Sequence, residues 1–331
     1  VVRLIFKDVG QGDSIILEWS EDDTNKIAII DCNIYSNSNP VLDHIKVNNI
    51  IEIEFILLTH PHLDHFSGMF DLLDYCIKNN IKVKRFLHTS LVTPDYLMMA
   101  TRSKEASREL QKLWLFLNKM IDNNQIERYV LDDNPNMIIP LGEEFKMEVL
   151  APSSIEIDKY ISSVKFPFDE EGVFGHPNAN WLSTVLRIYN DKISALLTSD
   201  SEKNVLTRIG NRKSGRLGLN RIGLGQSPHH GSKRNHNILF WQLRKRTKET
   251  PIVFSVGPNS YGHPNSEVLR YFQKLAHYKI ERTDLINGIT KKTSTIQKKS
   301  NNLDLISSIY STKPERGDLI FKLEKDICEK I

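Results

Sequence analysis

Short apolar runs separated by turn residues dominate the first sixty positions. Residues 1–6, 14–19, 26–31 and 53–58 each read as a strand, bounded by Gly10 and Gly12, by Asp22 and Asp23, and by Thr59 and His60. A helix is expected over 67–79 and a further strand over 83–88. The period then changes. Leu110, Leu113, Trp114, Leu117, Met120 and Ile121 recur at spacings of three and four, which predicts a helix over 103–122 capped by Ser103, with Glu105 and Ala106 in its first turn. Residues 145–152 read as a strand, and 152–178 as a long loop containing Pro167, Gly172, Gly175 and Pro177. A hairpin follows, 183–189 and 192–198 around Asn190 and Asp191. Short strands at 221–226 and 251–256 flank a basic helix near 235–247; a helix over 265–277 and a strand over 318–324 complete the pattern.

Strands come first as a group, helices then interleave, and the second half repeats the order. That arrangement predicts an α+β fold, a four-layer αββα sandwich, rather than a doubly wound parallel sheet. No repeat of fixed period and no clear linker divides the chain. Residues 1–290 are expected to form one domain with a helical insertion at about 95–125, and 291–331 to add a basic segment and the closing strand.

Composition narrows the setting. The 331 residues are 40% hydrophobic and 26% charged, within the range of ordinary globular chains. No apolar run approaches the roughly 18 residues of a membrane span, and "VVRLIFKDVG" does not read as a signal peptide. Three scattered cysteines, Cys32, Cys76 and Cys328, point to a reducing compartment, so a cytoplasmic protein is expected. Net charge is +3, but its distribution is uneven: residues 203–248 hold twelve Lys or Arg and no Asp or Glu, and 291–299 are also acid-free. A one-signed run of that length points to an anionic partner, of which a polyphosphate backbone is the commonest.

The chemistry concentrates in "HPHLDH", which places His60, His62, Asp64 and His65 at the end of an apolar run. Imidazole nitrogens and a carboxylate suit Zn²⁺, and also Mn²⁺ or Fe. One short loop cannot fill two metal sites, so further ligands must come from other strand ends. "ALLTSD" ends in Asp200, which alone would read as a cap for the helix "SEKNVL". "SPHHGS" carries His229 and His230, and "SYGHPN" carries His263.

"HPHLDH" is similar to the H-x-H-x-D-H signature of the metallo-β-lactamase fold. "DVGQGDS", "TSD", "HHGS", "SVGPNSYGHP" and "RTDLINGI" resemble the hydrolase domain of the ComEC/Rec2 competence family, in that family's order, from about residue 3 to 289. The resemblance implies two divalent metal ions, Zn or Mn. His60 and His62 would bind one, Asp64, His65 and His230 the other, and Asp200 would bridge them. Asp8, Asp13 and Asp31 would orient the ligands. Asp64, His229 and His263 would act on the substrate, His229 as proton donor or phosphate contact. Ser232, Lys233, Arg234 and Asn180 would touch the substrate. Many members of the fold carry one more histidine; here Asn180 or Ser183 would stand in its place, His176 being out of register. The competence proteins also carry a membrane channel; no run of these 331 residues reads as one, so a stand-alone hydrolase is expected.

The reaction so implied is hydrolysis of a phosphodiester by hydroxide held between two metals, with in-line attack on phosphorus. Joined to the acid-free basic stretch, it makes a DNA nuclease the leading expectation. A small-molecule phosphodiesterase of phosphocholine type is the alternative. A third reading makes the chain a partner-controlled component, such as the effector of a bacterial defence complex, docking through helix 103–122, where Trp114, Leu115 and Phe116 stand in a row.

Overall fold

A computed structural model describes residues 1–89, 101, 103–164, 178–211, 216–217, 221–286, 289–290 and 317–331. The basic segment 291–299, His176 and part of the insertion at 95–125 lie outside the described residues.

The strands are β1 (Val2–Phe6), β2 (Ile15–Glu21), β3 (Thr24–Ile30), β4 (Glu52–Leu58), β5 (Lys82–His88), β6 (Glu127–Val130), β7 (Ile138–Leu141), β8 (Phe145–Ala151), β9 (Val185–Tyr189), β10 (Ser194–Leu197), β11 (Arg221–Gln226), β12 (Lys245–Arg246), β13 (Thr250–Phe254), β14 (Tyr278–Arg282), β15 (Leu285–Ile286), β16 (Ile289–Thr290), β17 (Leu319–Glu324) and β18 (Ile327–Lys330). The helices are α1 (Pro40–Val47), α2 (Leu63–Phe66), α3 (Met69–Lys78), α4 (Lys104–Asp122), α5 (Ser154–Ser163), α6 (Lys203–Ile209), α7 (Ile238–Leu243) and α8 (Ser266–Lys274).

Two sheets stack face to face. The first runs β18-β17-β1-β2-β3-β4-β5-β6 and the second β14-β13-β11-β10-β9-β8-β7. Each has an antiparallel half and a parallel half. The parallel pairs are β3·β4, β4·β5 and β5·β6 in the first sheet, and β10·β11, β11·β12, β11·β13 and β13·β14 in the second. Alternation along the strands sorts apolar side chains into separate cores. Leu4, Phe6, Ala28, Ile30, Phe55 and Leu57 face the second sheet's Phe145, Met147, Leu186 and Leu197 between the layers. Ile5, Ile29, Ile56 and Leu58 point the other way, onto α1, α3 and α4. Leu196, Ile252 and Phe254 pack outward against Val205 of α6, Trp241 of α7 and Phe272 of α8. Helices outside, sheets inside: the expected αββα order is present.

Helix starts follow their caps. Ser103 accepts from the Ala106 amide at the start of α4, as expected. Helix α1 was not anticipated, although Asn39 caps it and Pro40 stands at its first position. The loop expected over 152–178 contains α5, which begins in a reciprocal capping box between Ser153 and Glu156. The basic helix expected at 235–247 is shorter and not basic: α7 spans the apolar Ile238–Leu243 under an Asn237 cap, and Lys245 and Arg246 continue as β12. Asp200 does not cap α6, whose N-cap residue is Glu202.

Three cations of the acid-free stretch meet acids of other elements, and a fourth meets backbone carbonyls. Arg208 forks onto both oxygens of Glu156 at 2.9 and 2.8 Å and reaches Asp133 at 3.1 Å. Arg216 pairs with Glu148, Lys233 with Glu267 at 2.6 Å, and Arg244 is buried against the carbonyls of Phe240 and Gly210. In α4, Trp114 and Leu117 are buried and Phe116 is half-buried, leaving Leu115 as the outward member of the apolar row, 66% exposed. Truncating Leu117 to Ala should therefore lower stability by about 2–5 kcal/mol, while Leu115→Ala should stay within about 0.5 kcal/mol, as read from urea midpoints.

Candidate metal centre

The parallel strands of both sheets deliver the candidate ligands from their C-terminal ends, where open α/β sheets place their sites. Strand β4 leads into Thr59 and His60. His62 stands before the short helix α2, which carries Asp64 and His65. Strand β10 leads through Thr198 and Ser199 to Asp200. Strand β11 leads into the turn Pro228–Gly231, where His229 and His230 both adopt left-handed backbone angles, φ 48° and 54°. Gly12 lets the 8–14 loop lie against α2: a Cβ there would come within 2.4 Å of the Asp64 carbonyl oxygen.

Four imidazoles converge on Asp200. Oδ2 lies 3.6 Å from His60 Nε2 and 3.5 Å from His229 Nε2. Oδ1 lies 3.6 Å from His65 Nε2 and 3.5 Å from His230 Nε2, which is also 3.5 Å from Asp64 Oδ2. These separations are long for hydrogen bonds. Those of His60, His65 and His230 match the spacing of about 3.4 Å between two donors that share a tetrahedral ion at bond lengths of about 2.1 Å; His229 belongs to none of the donor sets. His65 Nε2, His230 Nε2 and Asp200 Oδ1 are buried with no hydrogen-bond partner. Leaving three such atoms unsatisfied is costly, and a cation at their common focus satisfies all of them. The donors form overlapping sets: His60, His62 and Asp200; Asp64, His65 and His230; Asp13, His65 and Asp200. The residues fit divalent ions held by nitrogen and oxygen.

Burial sets the charge state of the first set and is overruled in the second. His60 is held well below the usual imidazole range by burial, with His65 and His62 adding to it. Burial also pulls His65 down, but Asp31 and Asp200 outweigh it and hold the ring well above the usual range. At His230 burial is again overcome, by Asp200 and Asp64, and the pKa is raised to about 9. Asp64 and Asp200 lie below the carboxylate range because neighbouring imidazoles outweigh their own desolvation. Metal ligands must be deprotonated, so ions binding near neutral pH displace protons from this centre.

Outer contacts fix the ring directions. His65 Nδ1–H donates to Asp31 Oδ2 at 2.6 Å, and His230 Nδ1–H to the Ser255 carbonyl at 2.8 Å, so each presents Nε2 inward. Asp31 is itself held by the Thr59 amide and hydroxyl at 2.8 and 2.6 Å. Asp13 accepts from Gln226 Nε2 at 2.9 Å and lies 4.0 Å from His65 Nδ1. Gln226 Oε1 also takes the amides of Thr198 and Ser199, tying the approach to Asp200 to the 8–14 loop. Thr59, Ser199 and Gln226 lie outside the sequence expectations; their signal is a polar residue directly ending a buried apolar run. Asp8 is placed differently from Asp13 and Asp31. Its carboxylate takes the Gly10 and Gly317 amides, and its own amide donates to Asp318, so it braces the loop against the closing strand.

A cleft of about 820 Å³ opens over the ligands, with His62, Asp64, Asp200, His229, His230 and His263 on its wall. His229 Nδ1 lies 3.0 Å from the Asn180 side-chain nitrogen. Asn180 Oδ1 and Ser183 Oγ are buried without partners. The His263 ring stands 5.4 Å from that of His229, and burial with the nearby His229 and His230 lowers its pKa to about 4. The expected substrate contacts at Asn180, Ser232, Lys233 and Arg234 are not among the cleft-lining residues. Ser232 is buried and its amide donates to the His229 carbonyl, Lys233 is drawn to Glu267 of α8, and Arg234 is exposed.

The family model of the metallo-beta-lactamase superfamily matches residues 8–100. A curated relative, the 7,8-dihydropterin-6-methyl-4-(beta-D-ribofuranosyl)-aminobenzene-5'-phosphate synthase of Methanocaldococcus jannaschii, is 25% identical over 144 residues, 40% of this chain. The match spans 43% of that relative's length. Among solved structures, the metallo-beta-lactamase fold protein YhfI from Bacillus subtilis is 9% identical with a TM-score of 0.47, covering 85% of this chain and 96% of its own. Zn²⁺-bound PqqB from Methylobacterium extorquens is 8% identical with a TM-score of 0.45, covering 85% and 98%. The sandwich is of the metallo-β-lactamase type.

Two outcomes are expected from the geometry. Asp31→Asn should weaken metal binding by about 10–100-fold in chelator competition while leaving the circular dichroism of the fold unchanged. Metal affinity should tighten from pH 6 to pH 8, because His230 keeps its proton up to about pH 9 in the metal-free protein and must lose it to bind. Calorimetry in buffers of different ionisation enthalpy counts the protons released.

Proposed function

We propose that the chain is a metal-dependent phosphodiesterase, with nucleic acid, DNA first, as its substrate. The observation that carries the hydrolytic reading is the convergence of His60, His65, His229 and His230 on the two oxygens of Asp200 at the floor of an open cleft. Divalent ions bound there supply Lewis acidity and an activated water. The chain's own residues do the rest. Asp200 and the histidines hold the centre together. His229, braced by Asn180, presents its Nε2 at the edge of the cleft, where it can give a proton to a departing oxygen. His263, held neutral at pH 7, lines the same wall and can accept or donate a hydrogen bond to a phosphoryl oxygen. Cysteine chemistry finds no support: Cys32 and Cys76 are buried, and burial raises both thiols, Cys76 to about 12.

A small phosphodiester is the second reading. Asp71, Glu105 and Glu109 also line the cleft, and carboxylates there disfavour a second phosphate beside the reacting one.

Metal-loaded protein should cleave bis(4-nitrophenyl) phosphate and DNA offered as linear duplex, circle and single strand. His62→Ala should lose more than the roughly 10–100-fold typical of changes around a metal's ligands. Absence of metal-dependent cleavage of every one of these substrates would falsify the reading; cleavage of the small diester alone would select the second.

A further inference from the structure

We propose that the outer face of α4 is the track along which a single-stranded nucleic acid approaches the cleft. The proposal rests on the phosphodiesterase reading and names the surface that would hold the substrate away from the metals.

Arg108, Lys112, Leu115 and Lys119 stand at i, i+4, i+7 and i+11, one stripe along α4, opposite the buried Leu110, Leu113 and Leu117. They border a groove of about 410 Å³ floored by Phe70, Leu115 and Phe116. Phe70 and Lys112 also line the metal cleft, so groove and cleft are continuous. Lys112 Nζ sits 3.7 Å above the Phe70 ring, whose centroid is 5.1 Å from that of Phe116.

Each cation of the stripe has an acid three positions away, Glu105 for Arg108, Glu109 for Lys112 and Asp122 for Lys119, a spacing that can pair on a solvated face. Lys112 has a loose contact with Glu109 at 3.9 Å, but no acid among the described residues pairs with Arg108 or Lys119. From Arg108 to Lys119 the stripe runs about 16 Å, the length of about five stacked nucleotides at roughly 3.4 Å each. Cations flanking an exposed apolar floor suit a single strand, phosphates to the cations and bases onto Leu115 and Phe116. Asp71, Glu105 and Glu109, nearer the metals, suit base amino groups rather than phosphates, as carboxylates do at cytosine N4. Glu105 and Glu109 stand on α4 itself, on the side turned to the cleft, so they leave the Arg108–Lys119 side of the helix to the phosphates.

The test measures binding apart from catalysis. Zinc-loaded protein is titrated against a fluorescein-labelled single strand of about 12 nucleotides with a hydrolysis-resistant phosphorothioate backbone, over a range of salt. Arg108→Gln with Lys119→Gln should weaken binding at least about tenfold and reduce the slope of log affinity on log salt by about 1.4, two contacts at about 0.7 each. Leu115→Ser should weaken binding a few-fold and leave the slope unchanged. Unaltered affinity and slope in the double variant, with melting temperature and zinc content preserved, overturn the proposal, as does a larger native mass without oligonucleotide binding, which would make the face a protein surface. Groove-dependent binding without hydrolysis of any diester supports the track and sinks the catalytic reading.

Discussion

Asp200 is the point on which the two halves of the sandwich close. One carboxylate at the end of β10 faces imidazoles from the end of β4, from α2 and from the turn after β11. Neither sheet can form the centre alone. The register of the sheets, the packing of the inner core and the course of four loops all serve to bring those rings within 3.6 Å of two oxygens. Without metal, the same convergence leaves His65 Nε2, His230 Nε2 and Asp200 Oδ1 buried with no hydrogen-bond partner, which is costly. Binding ions there is therefore coupled to folding, and the fold and the chemistry are one problem.

The signature "HPHLDH" made half of that centre legible because its donors lie within six positions and follow an apolar run. Asp200, His230 and His263 were legible only as polar ends of other apolar runs, which is a property of sheets rather than of any single segment. Thr59 and Gln226 also end apolar runs, but what they hold was not legible. Each has an ordinary polar side chain whose importance comes from partners 28 and 213 positions away, and sequence carries no mark of such pairings. Caps explain most of the element-level differences. Asn39 with Pro40, and Ser153 with Glu156, are proper start signals, but short helices with few apolar positions give the 3.6-residue period little room to show.

Charge along the chain proved a poor guide to charge in space. The acid-free stretch 203–248 supplies Arg208, Arg216 and Lys233 to carboxylates on α5, β8 and α8. Those arginines and the lysine stitch the second sheet to its helices. Among the described residues, Arg108 and Lys119 of α4 also pair with no acid, in a segment whose mixed composition drew no attention as charge.

His229 and His230 hold left-handed backbone angles side by side, a conformation that side chains other than glycine resist. A glycine in place of His229 would relax that turn and raise the stability of the metal-free chain, while removing the ring that faces Asp200. On the function proposed above, ease of the backbone and the chemistry of the ring pull against each other at this one residue.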